Sequence, residues 1–374
     1  MKLTKIAAVI IACISTGAYA GDNNTSNSTQ NGTYNRAYLQ QLLTDSSSIS
    51  VTQQGTNNVA GHPIDQSVLG IIQQNSSNVT AVLNQNGNAN SATIQQIASN
   101  GTSVSVSQSG DSNTSDNTQN QSSLSSSVTV SQSGNSNNAR DDQLNGNSAT
   151  TATVSQLASN NGSSQIYQSN NINSDATVSQ SGTSNRGFIG QWDSISASGK
   201  ITQNGDNNEG QMQQNQTIAT LGSITQSGSS NTGVVSQYQT NGEQATIVQS
   251  GTGNFAQAIQ SFVDNSAIGG QSSDFIHITE VGQNNVATSG QSGPGGTIVV
   301  NQNGNNNMAF SNQQGINDAS IDQTGLGNNA TIMQVSQATN GNTQNLAYIA
   351  QTGNFNIASA NQNGVNNRVR IVQN

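Results

Sequence analysis

One frame of residues recurs along almost the whole chain: Gln, then Gly two positions later, Asn five later, Ala or Gly seven later, and a second Gln eleven later. Unchanged copies begin at Gln30, Gln85, Gln132, Gln180, Gln203, Gln226, Gln249, Gln302, Gln323 and Gln351. Copies at Gln108, Glu280 and Gln362 carry one change each, and copies at Gln53 and Gln156 are more degenerate. Because the frame returns about every 21 to 24 residues, the sequence predicts a repeat protein.

The composition excludes an ordinary globular core. Only 30% of the 374 residues are hydrophobic and 3% are aromatic, far below the apolar share of a packed domain. Intrinsic disorder is usually accompanied by many charges, but charged residues make up only 7% here. A polar, nearly uncharged chain with two prolines can instead stack amide side chains in cross-β ladders.

The first twenty residues are typical of a secretory signal peptide. Lys2 and Lys5 precede an apolar run over 6–14, and Ala18-Tyr19-Ala20 forms a small-x-small cleavage site. The alternative is a lipoprotein cleavage box at Ile10-Ile11-Ala12-Cys13, which would leave Cys13 as a lipidated first residue. Cleavage after Ala20 predicts a secreted, acidic chain without cysteine. This chain would begin with a short polar lead over 21–29 that could direct export.

The spacing inside the frame indicates two β-strands per repeat. Residues of equal parity share one face of a strand, and the fixed positions within each strand are all of one parity. Before the glycine, Ala245-Ile247-Gln249 is typical; after it, Asn328-Ala330-Ile332-Gln334 is typical. Between them, Gly-x-x-Asn favours a tight arc, because Gly and Asn tolerate positive φ.

The fold expected from this pattern is all-β: a β-solenoid over 30–374 with two parallel sheets, stacked strand-arc-strand repeats and about 14 turns. Longer steps between copies predict insertions near 61–80, 261–275 and 335–345. The handedness of the winding does not follow from the sequence. The alternative is a disordered, prion-like chain, which does not require a frame of fixed phase.

Stacking of equal turns predicts amide ladders and columns of turn glycines. The predicted ladder residues are Gln30, Asn35, Gln41, Gln85, Asn90, Gln96, Gln108, Asn113, Gln119, Gln132, Asn137, Gln143, Gln180, Asn185, Gln191, Gln203, Asn208, Gln214, Gln226, Asn231, Gln237, Gln249, Asn254, Gln260, Asn285, Gln291, Gln302, Asn307, Gln313, Gln323, Asn328, Gln334, Gln351, Asn356, Gln362, Asn367 and Gln373. The predicted turn glycines are Gly32, Gly55, Gly87, Gly110, Gly134, Gly182, Gly205, Gly228, Gly251, Gly282, Gly304, Gly325, Gly353 and Gly364.

The frame from Gln30 to Gln373 resembles the curlin repeat of bacterial curli fibre subunits, both major and nucleator type. The resemblance implies secretion through an outer-membrane pore with periplasmic accessory proteins, and assembly with other curli-type subunits into extracellular amyloid fibres of a biofilm matrix. It also implies a role in cell adhesion as a pilus-like fibre. The chain departs from the family in having about 14 repeats rather than about five.

The sequence contains no constellation typical of an enzyme, cofactor site or metal site. His62 and His277 lie in or near predicted insertions without a partner at ligand spacing, so both are interpreted as solvated loop residues. Asp141 and Asp142 are consecutive and would point to opposite faces of a strand. Gly251-x-Gly253-x-x-Ala256 lacks the βαβ context of a dinucleotide fingerprint. The net charge of −9 disfavours nucleic-acid binding, and no apolar stretch after the signal peptide is long enough to span a membrane.

The leading functional hypothesis is therefore a self-associating structural subunit, with a monomeric extracellular solenoid acting as an adhesin or ligand-binding protein as the alternative. Asp141, and Asn117 one turn earlier, occupy inward positions that Ile or Val fill elsewhere. Polar groups there should weaken stacking, as gatekeeper residues do. We therefore expect the turns over 300–373 to be the most fibre-prone and the region 108–143 to be damped.

Overall fold

The computed structural model describes residues 23–60, 70–121, 124–263, 275–293, 296–336 and 345–374. These residues contain strands, arcs and no helix, and they form a β-solenoid of about 14 turns with two parallel sheets, which confirms the predicted fold class. The chain divides into two compact units, Met1–Ser184 and Asn185–Asn374. The predicted signal peptide lies outside the described residues.

Thirty-one strands follow one another in the part of the chain that the structure describes. They are β1 (Thr25–Thr33), β2 (Arg36–Ala37), β3 (Leu39–Leu42), β4 (Ser48–Thr56), β5 (Val59–Ala60), β6 (Ile71–Gln74), β7 (Thr80–Asn88), β8 (Ser91–Ile97), β9 (Ser103–Ser109), β10 (Thr114–Asn120), β11 (Ser127–Ser133), β12 (Asn138–Leu144), β13 (Thr151–Leu157), β14 (Ser163–Ser169), β15 (Asp175–Ser181), β16 (Arg186–Trp192), β17 (Ser198–Asp206), β18 (Glu209–Asn215), β19 (Leu221–Ser229), β20 (Thr232–Thr240), β21 (Gln244–Thr252), β22 (Phe255–Val263), β23 (Phe275–Gln283), β24 (Val286–Ser292), β25 (Gly296–Asn305), β26 (Met308–Gln314), β27 (Asn317–Leu326), β28 (Asn329–Val335), β29 (Asn345–Asn354), β30 (Ile357–Asn363) and β31 (Arg368–Gln373).

Within each unit, strands alternate between two sheets. In the first unit, sheet 1 has the order β1-β4-β7-β9-β11-β13-β15, and sheet 2 contains β2, β3, β5, β6, β8, β10, β12 and β14. In the second unit, sheet 1 has the order β17-β19-β21-β23-β25-β27-β29-β31, and sheet 2 has the order β16-β18-β20-β22-β24-β26-β28-β30. Within each unit, the paired strands of the described residues are parallel and in register with the repeat, so that Gln203 lies beside Gln226 and Gly205 beside Gly228.

The interior is thin and built from small or branched apolar side chains. In β9, burial alternates strictly, with Val104, Val106 and Gln108 inward and the serines outward. The same alternation in both sheets places the inward faces opposite each other, which is how a chain with few hydrophobic residues encloses a dry core. Backbone hydrogen bonds between turns supply cohesion along the stack.

The solenoid begins earlier than the repeat frame predicts. Strand β1 starts at Thr25, inside the polar lead predicted over 21–29, and the Asn24 side chain donates to the Thr44 backbone carbonyl in the next turn. The prediction missed this strand because its inward residues, Ser26 and Ser28, are not apolar. Parallel pairing with β4 nonetheless extends over the whole of β1.

The predicted insertions fall mainly on 61–69, 264–274 and 337–344, which lie outside the described residues. The remainder of the first predicted insertion is part of the solenoid, because Ile71–Gln74 forms β6 and pairs with β3 and β8. Likewise, His277 lies on β23 and not in a loop, since the regular strand pattern resumes at Phe275. His62 lies outside the described residues.

Candidate functional site

Two columns of glutamines, which we call the Gln ladders, run through the interior of each unit. Gln85 Nε2 donates to Gln108 Oε1 in the next turn at 2.8 Å, and the same bond joins Gln214 to Gln237 at 2.9 Å. The second Nε2 hydrogen crosses the interior: Gln203 also donates to the Arg186 backbone carbonyl of the facing sheet at 2.9 Å. Each rung therefore satisfies a buried amide and ties both the turns and the two sheets together.

The predicted glutamines take these positions. The sheet 1 ladder of the first unit consists of Gln30, Gln53, Gln85, Gln108, Gln132, Gln156 and Gln180. The sheet 2 ladder of that unit consists of Gln41, Gln73, Gln96, Gln119, Gln143 and Gln168. In the second unit, sheet 2 carries Gln191, Gln214, Gln237, Gln260, Gln291, Gln313, Gln334 and Gln362, and sheet 1 carries Gln203, Gln226 and Gln249, then Gln302, Gln323, Gln351 and Gln373.

Sequence reasoning missed four of these rungs. Gln53 and Gln156 belong to the degenerate copies and are absent from the predicted ladder, yet each bonds to the glutamine in the turn before it and in the turn after it. Gln73 completes the turn that starts at Gln53. It was missed because the segment 61–69 separates it in the sequence from the rest of its frame. Gln168 lies one residue later than the frame predicts because the arc after Gln156 is longer. A search that allowed insertions within a copy could have found the last two.

Each turn has a first arc, which leads from the sheet 1 strand to the sheet 2 strand, and a second arc, which leads back to sheet 1. The first arc is held by an asparagine. Asn90 Oδ1 accepts from the Asn113 backbone N–H at 3.0 Å, and Asn90 Nδ2 donates to the Gly110 carbonyl at 2.7 Å. The same contacts are made by Asn208 in the second unit. Positive φ at every predicted turn glycine lets the chain reverse within this arc.

A buried hydroxyl column holds the second arc and was not predicted. Ser76 Oγ donates to the Gln74 carbonyl at 2.8 Å and accepts from the Ser99 backbone N–H at 3.1 Å. In the second unit, Thr217 Oγ1 donates to Ser194 Oγ at 3.0 Å. Ser and Thr also fill most outward positions, so composition alone does not single out these buried members.

The ladders have a direction. Wherever two glutamines form a rung, the N-terminal one donates and the C-terminal one accepts, so the two ends of a ladder differ chemically. Gln30 Oε1 accepts no hydrogen bond from the described residues. Gln373 Nε2 donates once, to the Ile357 carbonyl at 3.0 Å, which leaves it a second hydrogen. An acceptor thus ends one ladder and a donor ends another.

Within the described residues, β1 pairs only with β4, and β31 pairs only with β29. The last turn is also apolar and incompletely covered: Phe355 is 70% exposed and Ile357 73% exposed. An edge of this kind presents unpaired backbone groups and apolar surface in a plane, which favours the addition of another strand.

Buried acids interrupt the regular interior. Asp141 is fully buried on β12, and neither of its carboxylate oxygens nor Asn117 Oδ1, in register one turn earlier, has a hydrogen-bond partner among the described residues. Burial, and then the neighbouring Asp142 charge, raise the pKa of Asp141 well above its ordinary value. Asp142 lies on the opposite face of β12, where it forms an ion pair with Arg140 at 2.8 Å.

The described residues bring no catalytic or metal-binding cluster together. No group of three or more His, Cys, Asp or Glu side chains converges in this part of the chain. His277 stacks on Phe275 with ring centroids 5.8 Å apart, and Thr279 Oγ1 lies 2.9 Å from its Nε2 atom. Among the same residues, no helix has the length and apolar character needed to cross a membrane.

The described residues thus present stacked amides and hydroxyls, with an acceptor at the Gln30 end and a donor at the Gln373 end. Comparison with models of protein families and with curated proteins finds no match to this chain.

Proposed function

We propose that this protein is a structural subunit of extracellular, amyloid-like fibres, similar in kind to curli subunits, and that copies join through their open strand edges. The supporting observation is that the in-register ladders end in an acceptor at Gln30 in the first unit and in a donor at Gln373 in the second. Export through an outer-membrane pore, accessory proteins and roles in a biofilm matrix and cell adhesion belong to this proposal as implications of the curlin-like frame.

The two edges are complementary. The sheet register repeats from turn to turn, so β31 of one copy would lie on β1 of the next with Arg368 beside Thr25 and Gln373 beside Gln30. Gln373 Nε2 would then donate to Gln30 Oε1, as Gln351 Nε2 donates to Gln373 Oε1 within the chain. Neither edge strand contains an acidic residue, so no buried carboxylate opposes this contact.

The first test is growth of fibres by residues 21–374 after dilution from denaturant. We expect reflections near ~4.7 and ~10 Å, from strand and sheet spacing, together with seeding by preformed fibres. A stable monomer rich in β-structure that never seeds would contradict the proposal and favour the adhesin-like alternative.

An edge variant tests the joint itself. The Asn367 carbonyl accepts from the Leu346 N–H, and alternate residues of a parallel strand bond to opposite neighbours, so the Arg370 N–H faces the open edge. Arg370→Pro removes that donor and places a ring there, which an edge strand tolerates. We expect folded chains that no longer elongate and that stop wild-type growth at sub-stoichiometric ratios, because their β1 edge still joins.

Arg370→Ala is the matched control. It also removes the guanidinium that lies 5.6 Å from the Tyr348 ring centroid, but it keeps the backbone N–H. Equal elongation by Arg370→Pro and Arg370→Ala would show that fibres grow through a different surface. Circular dichroism of both variants checks that the monomers keep the same strand content.

A further inference from the structure

The sheet 1 ladder of the second unit is interrupted at one position, where Glu280 takes the place of a glutamine. Gln249 Nε2 donates to Glu280 Oε2 at 2.8 Å, as it would to a glutamine. In the next turn, Gln302 Nε2 donates to the Val286 carbonyl at 3.2 Å and to Gln323 Oε1 at 2.8 Å, which uses both of its hydrogens. No hydrogen of an amide is therefore left to join Glu280 and Gln302.

Two buried acceptors consequently face each other. Glu280 and Gln302 are direct partners in the β23–β25 register, and both side chains are fully buried. Glu280 Oε1 and Gln302 Oε1 have no hydrogen-bond partner among the described residues. Two turns earlier, Gln226 Nε2 donates to Gln249 Oε1 at 2.8 Å, so an amide hydrogen lies between the equivalent pair of side chains. Both oxygens of the Glu280–Gln302 pair are therefore removed from water without gaining a hydrogen bond, which is unfavourable. A single proton on one of them would let the pair form a hydrogen bond.

We propose that Glu280 is a proton-binding site of the solenoid interior: its carboxyl group is protonated in the folded chain and donates to Gln302 Oε1, so that the rung is held by a proton and is lost when pH rises.

Among the described residues, no charge on the strands packed against β23 explains or opposes this arrangement. Strands β21, β25, β22 and β24, which pack against β23, contain no titratable side chain. On β23 itself, His277 is at an odd spacing from Glu280 and lies on the outer face. Burial raises the pKa of Glu280 from 4.5 to about 8, against smaller opposing effects of the hydrogen bonds from Gln249 and the Ala287 backbone. The group is thus neutral in the folded state at neutral pH.

The sign of the pH dependence follows from that shift. Between pH 4.5 and about 8, the folded chain binds this proton and the unfolded chain does not. The folded state therefore loses stability as pH rises through this window, by up to about tenfold in the folded-to-unfolded ratio for each pH unit. Below 4.5 and above about 8, Glu280 contributes no further slope.

A carboxyl titration tests the site directly. The chain has three glutamates, Glu209, Glu243 and Glu280, so 13C-labelled glutamate gives three side-chain carboxyl resonances. Loss of one resonance in Glu280→Gln assigns that of Glu280 in the full chain, free or assembled. We expect this resonance to titrate with a midpoint near 8. A midpoint near the ordinary 4.5 would overturn the proposal.

Stability provides the second readout. Glu280→Gln restores the amide hydrogen, so its denaturation midpoint should decline less than that of the wild type between pH 5 and 8 and should exceed the wild-type value at pH 9. Glu209→Gln is the matched control, because it replaces the same residue type by the same amide on the outer face of β18. If the wild type and Glu280→Gln show parallel pH profiles, the proton-held rung does not exist.

Discussion

Gly205→Ala is expected to destabilise the solenoid by about 3 kcal/mol or more, since a strained φ costs about 1–3 kcal/mol and overpacking costs a similar amount. Gly205 has φ of +116°, and an added Cβ would lie 2.0 Å from the Gly228 carbonyl oxygen of the next turn. That oxygen belongs to the backbone and cannot swing aside as a side chain would. The neighbouring arc must shift, which disturbs the Asn208 contacts that depend on it. Denaturant unfolding of the full chain measures the loss.

Gly290→Ala is the matched control within the same unit. Gly290 lies on the outer face of β24 outside the positive-φ region, and an added Cβ would meet only Asn312 Oδ1, at 3.4 Å. Because Ala loses less backbone entropy than Gly on folding, this variant should be neutral or more stable by up to about 1 kcal/mol. Equal destabilisation by the two substitutions would mean that the arc is not the constraint we describe.

Ala158 shows what happens when the arc glycine is absent. It lies beside Gly134 in the stack, keeps a φ of 96°, and is followed by an arc that is one residue longer than in the neighbouring turn. The extra residue lets the chain adjust its path, a freedom that an arc of normal length around Gly205 lacks. We therefore expect a single inserted residue in that arc to recover part of the stability lost in Gly205→Ala.

The repeat frame was sufficient to predict the sheets, because identical residues at fixed spacing can satisfy one another only when turns stack in register. Gln85 and Gln108 were predicted as ladder neighbours on this ground, and they form a 2.8 Å rung. Gln73 was missed because strand register depends on which residues are adjacent in the fold. The segment 61–69 displaces Gln73 from the sequence spacing that the frame predicts. The direction of the ladders was also not predictable, since it depends on which amide atom faces which turn.

The buried hydroxyl column and the buried acids escaped prediction for different reasons. Ser76 and Ser99 have the same residue type as the outward serines and differ only in the arc geometry that turns them inward. Asp141 was placed inward correctly, since residues of one parity share a face, and it is fully buried. Its energetic cost depends on the absence of hydrogen-bond partners, which only the three-dimensional structure gives.

Asp141→Val is expected to stabilise the folded chain by about 2 kcal/mol or more, because an unsatisfied buried polar group costs about 1–3 kcal/mol and a buried valine contributes a similar gain. The register places Ile166 next to Asp141, so valine continues an apolar column in place of a carboxyl group without partners. The raised pKa of Asp141 adds a pH signature. The folded state loses stability as pH rises above 3.8, and the variant should lack that part of the decline.

Asp116→Val separates burial from charge. Asp116 lies on β10, one turn from Asp141, but it is exposed on the outer face and accepts a hydrogen bond from Thr93. Asp116→Val removes the same type of side chain from the same region. Because Asp116 is exposed, the variant should give no comparable gain in stability. If Asp141 also restrains assembly, Asp141→Val alone should shorten the lag before fibre growth, since a more regular interior lowers the cost of ordering these turns. Equal lag times for the two variants would show that net charge, and not the buried carboxyl group, sets the rate.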